Sequence, residues 1–168
     1  QRKAMFLNPP NNPTGAVIPP ERIEAILSAT SERGIWVISD EVYDQLILDD
    51  GLPYLSPGSI DTSTPVISVY SFSKVYAMTG WRVGYLAAPP ALAQVLRTLQ
   101  EPQVSCPSTI SQKAAEAALT GPREPIEAMR LAYVQNRDFA WSRMLDLGLD
   151  GFRTQGTFYM LIDISTSG

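Results

Sequence analysis

Lys74 stands alone at the end of an apolar run, in the stretch SFSKVYAMTGWRVGY of residues 71–85. The next charged residue is Arg82, eight positions later. A lysine amine at a desolvated site loses part of its preference for a proton and becomes a usable nucleophile, and a nearby guanidinium acts in the same direction. Because such an amine condenses with aldehydes, the pair predicts carbonyl chemistry centred on Lys74.

The residues that are absent narrow the chemistry further. The chain contains no histidine, which excludes histidine triads, histidine–metal sites and histidine acid–base catalysis. Lysine, aspartate, glutamate, tyrosine or cysteine must then move any proton. A single cysteine, Cys106, allows neither an internal disulfide nor a cysteine-based zinc site, and we predict no metal. We expect Cys106 to fill an apolar pocket as a small residue.

Pyridoxal phosphate is the common aldehyde cofactor, and it needs support at three points besides the lysine. A carboxylate must hold its pyridine nitrogen, and Asp40 follows an apolar run. Hydroxyls and an arginine must hold its phosphate, for which Ser71 and Arg82 are candidates, since the arginine fork suits phosphate oxygens. Donors must reach its phenolic oxygen, and Asn12 and Tyr43 can supply them.

Each of these residues also has a simpler structural interpretation. Asp40 could cap a helix or turn, and Asn12 could be only a turn former in NNPTG. Ser71 could satisfy backbone groups, and Arg82 could pair with a surface acid. The order in which they occur along the chain, rather than any one of them, favours the functional interpretation.

Four apolar runs predict the strands that must position these residues, at 4–7, 35–39, 66–70 and 83–88. Helices are predicted from residue 20 towards Gly34, over 91–98, and over 108–119 with Ser108 as the N-cap. Strands that are apolar on both faces and alternate with helices are typical of an α/β fold with a mostly parallel sheet and helices on both faces.

Ligands of such sheets gather at the carboxyl ends of the strands. The polar clusters at residues 8–15, 40–43 and 71–74 each follow a predicted strand. We therefore expect three distant parts of the chain to converge on one site.

The character of the sequence changes after Gly121-Pro122. Residues 124–147 predict a long helix that ends at Gly148, and residues 151–153 and 157–164 predict a strand pair. The chain therefore divides into residues 1–122 and residues 123–168, the second part being a connecting helix and the start of a smaller α+β domain.

Composition limits the partners and the location. The formal net charge is −4 and the basic residues are scattered, which predicts no nucleic-acid partner. No apolar run approaches membrane-spanning length, and the first ten residues do not resemble a signal peptide. We expect a cytoplasmic protein without a membrane partner.

The quoted residues together resemble a known family. NPPNNPTG at 8–15, SDEVY at 39–43, SFSK at 71–74 and MTGWRVGY at 78–85 look like the motifs of class I/II aminotransferases, which are fold-type I pyridoxal-phosphate enzymes. Their order and spacing match, and the resemblance covers nearly the whole chain.

The resemblance implies a role for each matching residue. Lys74 would be the Schiff-base lysine and proton carrier, Asp40 would hold the pyridine nitrogen, and Tyr43 would act at the phenolic oxygen. The implied cofactor-binding residues are Asn12, Asp40, Tyr43, Ser71, Lys74 and Arg82. It also favours a cis peptide bond between Asn12 and Pro13.

The resemblance further implies pyridoxal 5′-phosphate as cofactor, an amino acid and a 2-oxo acid as substrates, and a homodimer whose sites use both subunits. Residues 1–122 would be part of the large cofactor-binding domain, and residues 123–168 the start of the small C-terminal domain. Because relatives extend further in both directions, the chain is expected to be an internal segment. The alternatives are a carbon–sulfur lyase or synthase of the same fold, or an inactive truncated segment.

Overall fold

A single sheet of four strands forms the centre of the computed structural model, which describes residues 3–165. The strands are β1 (Ala4–Leu7), β2 (Trp36–Asp40), β3 (Val66–Ser71) and β4 (Gly84–Ala87), in the order β1-β2-β3-β4. β1, β2 and β3 are parallel, and β4 returns antiparallel to β3. The mostly parallel sheet is confirmed, and each strand lies within one residue of its predicted ends.

Among the described residues, five α-helices accompany the sheet: α1 (Pro20–Ser31), α2 (Phe72–Val75), α3 (Pro90–Val104), α4 (Thr109–Thr120) and α5 (Glu124–Asp146). The predicted cap of α4 is confirmed, because the Ser108 hydroxyl oxygen accepts the Ser111 N–H at 3.1 Å. Helix α3 extends beyond its predicted end. Pro102 lies in its last turn, where the hydrogen bond that proline cannot donate does not end the helix. The prediction that Cys106 fills an apolar pocket is wrong, because this residue follows α3 and is exposed.

Helix α1 packs its apolar side against one face of the sheet. Its Ile23 and Leu27 are almost fully buried against Leu7, Val37 and Val66, one from each parallel strand. Burying an aliphatic side chain of this size contributes about 1.5–3 kcal/mol. This cluster fixes the three parallel strands side by side, and with them the edge at which they end.

The opposite face of the sheet carries large apolar side chains that remain exposed. Phe6 pairs in register with Ile38, and Leu86 pairs with Val69, so side-chain alternation places them on the face away from α1. Phe6 is 63% exposed, and Leu86 is also exposed.

Ion pairs join α5 to the rest of the chain. Arg137, whose side chain is 4% exposed, contacts Asp49 at 2.6 Å and Asp138 at 2.9 Å. Arg153 contacts the same two carboxylates at 2.9 and 2.8 Å. The four charges form one network, which fixes the long helix against the segment that follows β2.

The second part of the chain also docks through its backbone. Gly15 has φ +69°, and a Cβ on it would lie 1.5 Å from the Thr154 hydroxyl oxygen, so only glycine fits there. The Gly15 carbonyl accepts N–H groups from Gln155 at 3.1 Å and Gly156 at 2.8 Å.

These contacts explain why the predicted strand pair is shorter than expected. In the described part of this region, the pairing is limited to β5 (Asp150–Gly151) and β6 (Ile162–Asp163). Within residues 3–165, no helix is long and apolar enough to cross a membrane. The division of the chain at residue 122 stays a prediction.

Candidate active site

The polar clusters that follow β1, β2 and β3 lie at one edge of the sheet, because parallel strands end at the same side. Asp40 is the last residue of β2 and pairs in register with Val69. Ser71 ends β3 two residues later, on the same face as Asp40, and Lys74 follows in the short helix α2. The structure therefore places the predicted residues from β2 and β3 at neighbouring strand ends.

The loop after β1 is tied to the end of β2 by Asn8. Its side-chain amide donates to the Asp40 carbonyl at 3.0 Å, and its side-chain oxygen accepts the Asn12 N–H at 2.7 Å. The Asn12–Pro13 bond is cis, as predicted. The Asn12 side-chain amide then donates to the Tyr43 hydroxyl at 3.5 Å. Asn8 opens the NPPNNPTG motif, yet its role was not predicted from the sequence.

Tyr43 lies at the centre of the site and is 2% exposed. Its hydroxyl donates to the Tyr159 hydroxyl at 3.4 Å, and its ring meets that of Phe158 edge-on at 5.5 Å. Burial raises the pKa of Tyr43 well above its usual range, and Tyr159 and the charge of Asp40 act in the same direction. The phenol therefore keeps its proton at neutral pH and can donate it.

Asp40 has the environment of a carboxylate that lacks its partner. Burial is the main cause that raises its pKa, opposed by the Val42 N–H and assisted by the charge of Glu41. The Asp40 side chain accepts the Val42 N–H at 3.4 Å, which is a long hydrogen bond. Among residues 3–165, no cationic side chain pairs with the Asp40 carboxylate. A weak local bond makes a capping role small, whereas a half-buried anion suits a cationic group.

Lys74 reaches over an aromatic ring. Its Nζ lies 5.4 Å from the centre of the Phe158 ring, which attracts an ammonium. In the part of the chain that the structure describes, Lys74 forms no ion pair with a carboxylate. The amine is therefore not held by a neighbouring acid.

Ser71 ends β3, and Arg82 lies just before β4, the strand that pairs with β3. The Ser71 hydroxyl oxygen accepts the Ser73 N–H at 3.1 Å, which leaves its own proton free to donate. Arg82 adopts φ +51° before β4, and its guanidinium donates to the Thr79 carbonyl at 2.9 Å. Ser71 pairs in register with Gly84, which brings the two elements together, and among the described residues no hydrogen bond joins Arg82 to Ser71.

A buried acid directly follows Asp40, and its burial was not predicted from the sequence. Glu41 is 0% exposed, and one of its oxygens accepts the hydroxyls of Tyr54 at 2.7 Å and Tyr70 at 3.2 Å. Its other oxygen, and the hydroxyls of Ser39 and Ser68, have no partner within residues 3–165. Sequence order offered one signal, an acid directly after Asp40.

Phe158 and Tyr159 were also missed as site residues, because residues 157–164 predicted only a strand. The hydrogen bond between Tyr43 and Tyr159 spans 116 positions of the sequence. A contact at that separation leaves no local pattern in the sequence.

The set of groups at this edge fits pyridoxal phosphate. Lys74 offers an amine for its aldehyde, and the cation-free carboxylate of Asp40 suits a protonated ring nitrogen. Asn12 and Tyr43 meet at 3.5 Å and could donate to a single anionic oxygen between them. Ser71 retains a hydroxyl proton for a phosphate oxygen.

Comparison with known proteins identifies the family to which this chain is similar. Residues 1–167 match the family Aminotransferase class I and II. The chain is 37% identical to aromatic-amino-acid aminotransferase 2 of Thermococcus litoralis, over 99% of this chain and 43% of that protein. It is 39% identical to a probable aspartate/prephenate aminotransferase of Aquifex aeolicus, over 97% of this chain and 42% of that protein.

The fold agrees with solved structures of the same family. The structure of Thermus thermophilus aspartate aminotransferase with maleate is similar with a TM-score of 0.91 and 36% identity, over 99% of this chain and 44% of that chain. The present chain thus spans about 43% of the length of the curated relatives it matches.

Proposed function

The chain belongs to the class I and II aminotransferase family, and from that premise we propose that the protein carrying it is a pyridoxal-phosphate-dependent aminotransferase. Its reaction would move an amino group from an amino acid to a 2-oxo acid. The observation that carries the proposal is the cation-free carboxylate of Asp40 beside the Asn12–Tyr43 pair, at the strand ends that also present Lys74. The names of the similar proteins favour amino transfer over the lyase or synthase alternative.

When bound, the cofactor supplies an aldehyde that accepts the amino group and a ring that withdraws electrons from the substrate carbon. Lys74 would hold the aldehyde end through Nζ and afterwards carry a proton between the substrate carbon and the cofactor carbon. Phe158 lies below Nζ at 5.4 Å and would limit where the amine can move.

Asp40 would keep the proton on the ring nitrogen. A half-buried anion with one long hydrogen bond gains from a cation placed beside it, and that interaction would lower the raised pKa of Asp40. Tyr43 and Asn12 would donate to the phenolic oxygen at the other side of the ring. The raised pKa of Tyr43 supports a donor role, because the hydroxyl keeps its proton.

Ser71 and Arg82 would bind the phosphate. The Ser71 hydroxyl proton is free, and Arg82 spends one donor on the Thr79 carbonyl, which leaves the rest of its fork for phosphate oxygens. The homodimer and the cytoplasmic location that the family resemblance implies stay predictions. Sedimentation of the naturally expressed protein would measure the first.

Trapping the cofactor tests the proposal directly. The naturally expressed protein is incubated with pyridoxal phosphate, reduced with borohydride, digested and mapped by mass spectrometry. We expect the cofactor mass on the peptide containing Lys74 and not on that containing Lys113, an exposed lysine that pairs with Glu116 at 2.7 Å. No modified Lys74 peptide would support the inactive alternative.

Product analysis separates the two enzymatic alternatives. An aminotransferase consumes a 2-oxo acid and returns the matching amino acid. A carbon–sulfur lyase releases ammonia, a thiol and a 2-oxo acid from a sulfur amino acid and needs no 2-oxo acid acceptor, and that result would overturn the proposed reaction while leaving the cofactor assignment intact.

A further inference from the structure

The segment of residues 157–159 reaches the candidate active site from the second part of the chain and is held there by its backbone. Thr157 is 0% exposed, and its N–H donates to the Leu46 carbonyl at 2.9 Å. Its hydroxyl oxygen accepts the Tyr159 N–H at 3.3 Å. These two bonds fix the place from which the side chain of Tyr159 extends.

Aromatic contacts fix the side chains of the same segment. The Phe158 ring lies 5.5 Å from that of Tyr43 and 5.3 Å from that of Tyr133 on α5. The Tyr159 ring lies 4.8 Å from that of Phe158 and 6.2 Å from that of Tyr43. The neighbouring rings restrict the Tyr159 side chain. Its hydroxyl oxygen therefore stays 3.4 Å from the hydroxyl oxygen of Tyr43.

The protons on these hydroxyls can be counted. Tyr43 has one proton, which it donates to Tyr159, and its oxygen accepts from Asn12. An anionic acceptor beside Tyr43 requires that same proton. The bond between the two tyrosines must then reverse, with Tyr159 as the donor, which needs only rotation of the two hydroxyl groups.

We propose that Tyr159 is a positioning residue of this site, which donates its hydroxyl proton to the Tyr43 oxygen and so turns the proton of Tyr43 towards the phenolic oxygen of the cofactor. The assignment rests on the proposed function. The oxygen of Tyr43 would then accept two hydrogen bonds, from Asn12 and Tyr159, and a hydroxyl that accepts bonds becomes a stronger donor.

A stronger donor to the phenolic oxygen stabilises the form of the lysine-bound cofactor that has lost its proton, since that form has more uncompensated negative charge. Removing the Tyr159 hydroxyl should therefore raise the pH at which the absorption of the lysine-bound cofactor changes. A bond one step removed from the oxygen has a modest effect, which we expect to be about 0.3–0.5 pH units, a two- to threefold change in the proton dissociation constant.

The test compares three variants of the naturally expressed protein by absorbance titration. Tyr159→Phe keeps the ring and removes the hydroxyl. Tyr133→Phe makes the same chemical change in the same aromatic cluster, where the Tyr133 hydroxyl forms no hydrogen bond with residues 3–165. Tyr43→Phe removes the direct donor. The charged groups that face this cluster, Asp40 and Lys74, are retained in all three.

We expect the titration midpoint to rise most in Tyr43→Phe, less in Tyr159→Phe and not at all in Tyr133→Phe, with equal melting temperatures for the last two. A Tyr159→Phe midpoint equal to that of the unaltered protein overturns the assignment. An equal rise in Tyr133→Phe overturns it as well, because the cause is then ring packing. Unaltered protein that shows no lysine-bound cofactor overturns the proposed function, and the role of Tyr159 with it.

Discussion

Replacing Asp40 with asparagine separates the charge of this side chain from its shape. An amide is almost the same size and can still meet the ring nitrogen of the cofactor, but it has no negative charge to keep that nitrogen protonated. A hydrogen bond to a charged group contributes about 1.5–3 kcal/mol, so the rate of the chemical step should fall roughly 10- to 150-fold. Cofactor binding should weaken much less, because the phosphate and aldehyde contacts remain.

The structure predicts a different outcome for stability. The side chain of Asp40 accepts one local N–H, from Val42 at 3.4 Å, so a cap lost on substitution is small. Burial holds the pKa of Asp40 above its usual value, which means that the ionised side chain is disfavoured in the folded chain without cofactor. A neutral amide avoids that cost, and cofactor-free Asp40→Asn should melt no lower than the unaltered protein at pH 7.

The assay measures both quantities on the naturally expressed protein. Melting temperature is recorded without cofactor, and single-turnover rate with it, so that slow product release does not hide the chemical step. Asp61→Asn is the matched control, because Asp61 is exposed on a loop and should change neither quantity. A lower melting temperature with an unchanged single-turnover rate would refute the charge role and support the turn cap.

Other changes have equally definite outcomes. Lys74→Ala should abolish amino transfer and borohydride labelling while the melting temperature without cofactor stays the same. Lys113→Ala should leave both amino transfer and labelling intact. Burial, aided by the charge of Glu41, raises the pKa of Asp44 from 3.8 to about 6, so the folded chain binds the extra proton and its stability should fall as pH rises from about 4 to 6. Asp44→Asn should abolish that slope and add roughly 2–3 kcal/mol to the free energy of unfolding at pH 7. Arg137→Met should lower the free energy of unfolding by about 1–3 kcal/mol in denaturant titrations, because the buried Thr154 carbonyl loses its donor while Asp49 and Asp138 keep Arg153 as their cation.

The strands and the residues at their ends could be predicted from the sequence because both signals are local. Parallel strands buried on both faces are continuous apolar runs, so 66–70 was recognisable as β3, and Ser71 and Lys74 follow directly. Asp40 was found in the same way at the end of β2. Position along the chain was enough to place these residues at one edge.

The rest of the site depends on contacts that the sequence does not record. Residues 157–164 have the composition of a strand, yet the Thr157 N–H bonds to Leu46 and the Gly156 N–H bonds to Gly15, so the segment docks on the first part of the chain and forms only the short β5–β6 pairing of the expected ladder. Tyr159 comes to the site by that docking. Asn8 was missed for a related reason, since its partner is a backbone carbonyl 32 positions away.

The antiparallel return of β4 has a consequence for how the site assembles during folding. A short loop, closed by the pairing of Ser71 with Gly84, contains Ser71, Lys74 and Arg82. Asp40, in contrast, is positioned by its pairing with Val69, and a long connection separates these two residues. Short loops close at lower entropic cost and sooner than long ones. The groups proposed to hold the phosphate should therefore gather before the group proposed to hold the ring nitrogen, and a change that weakens the parallel pairings should displace Asp40 from a half-site that is already in place.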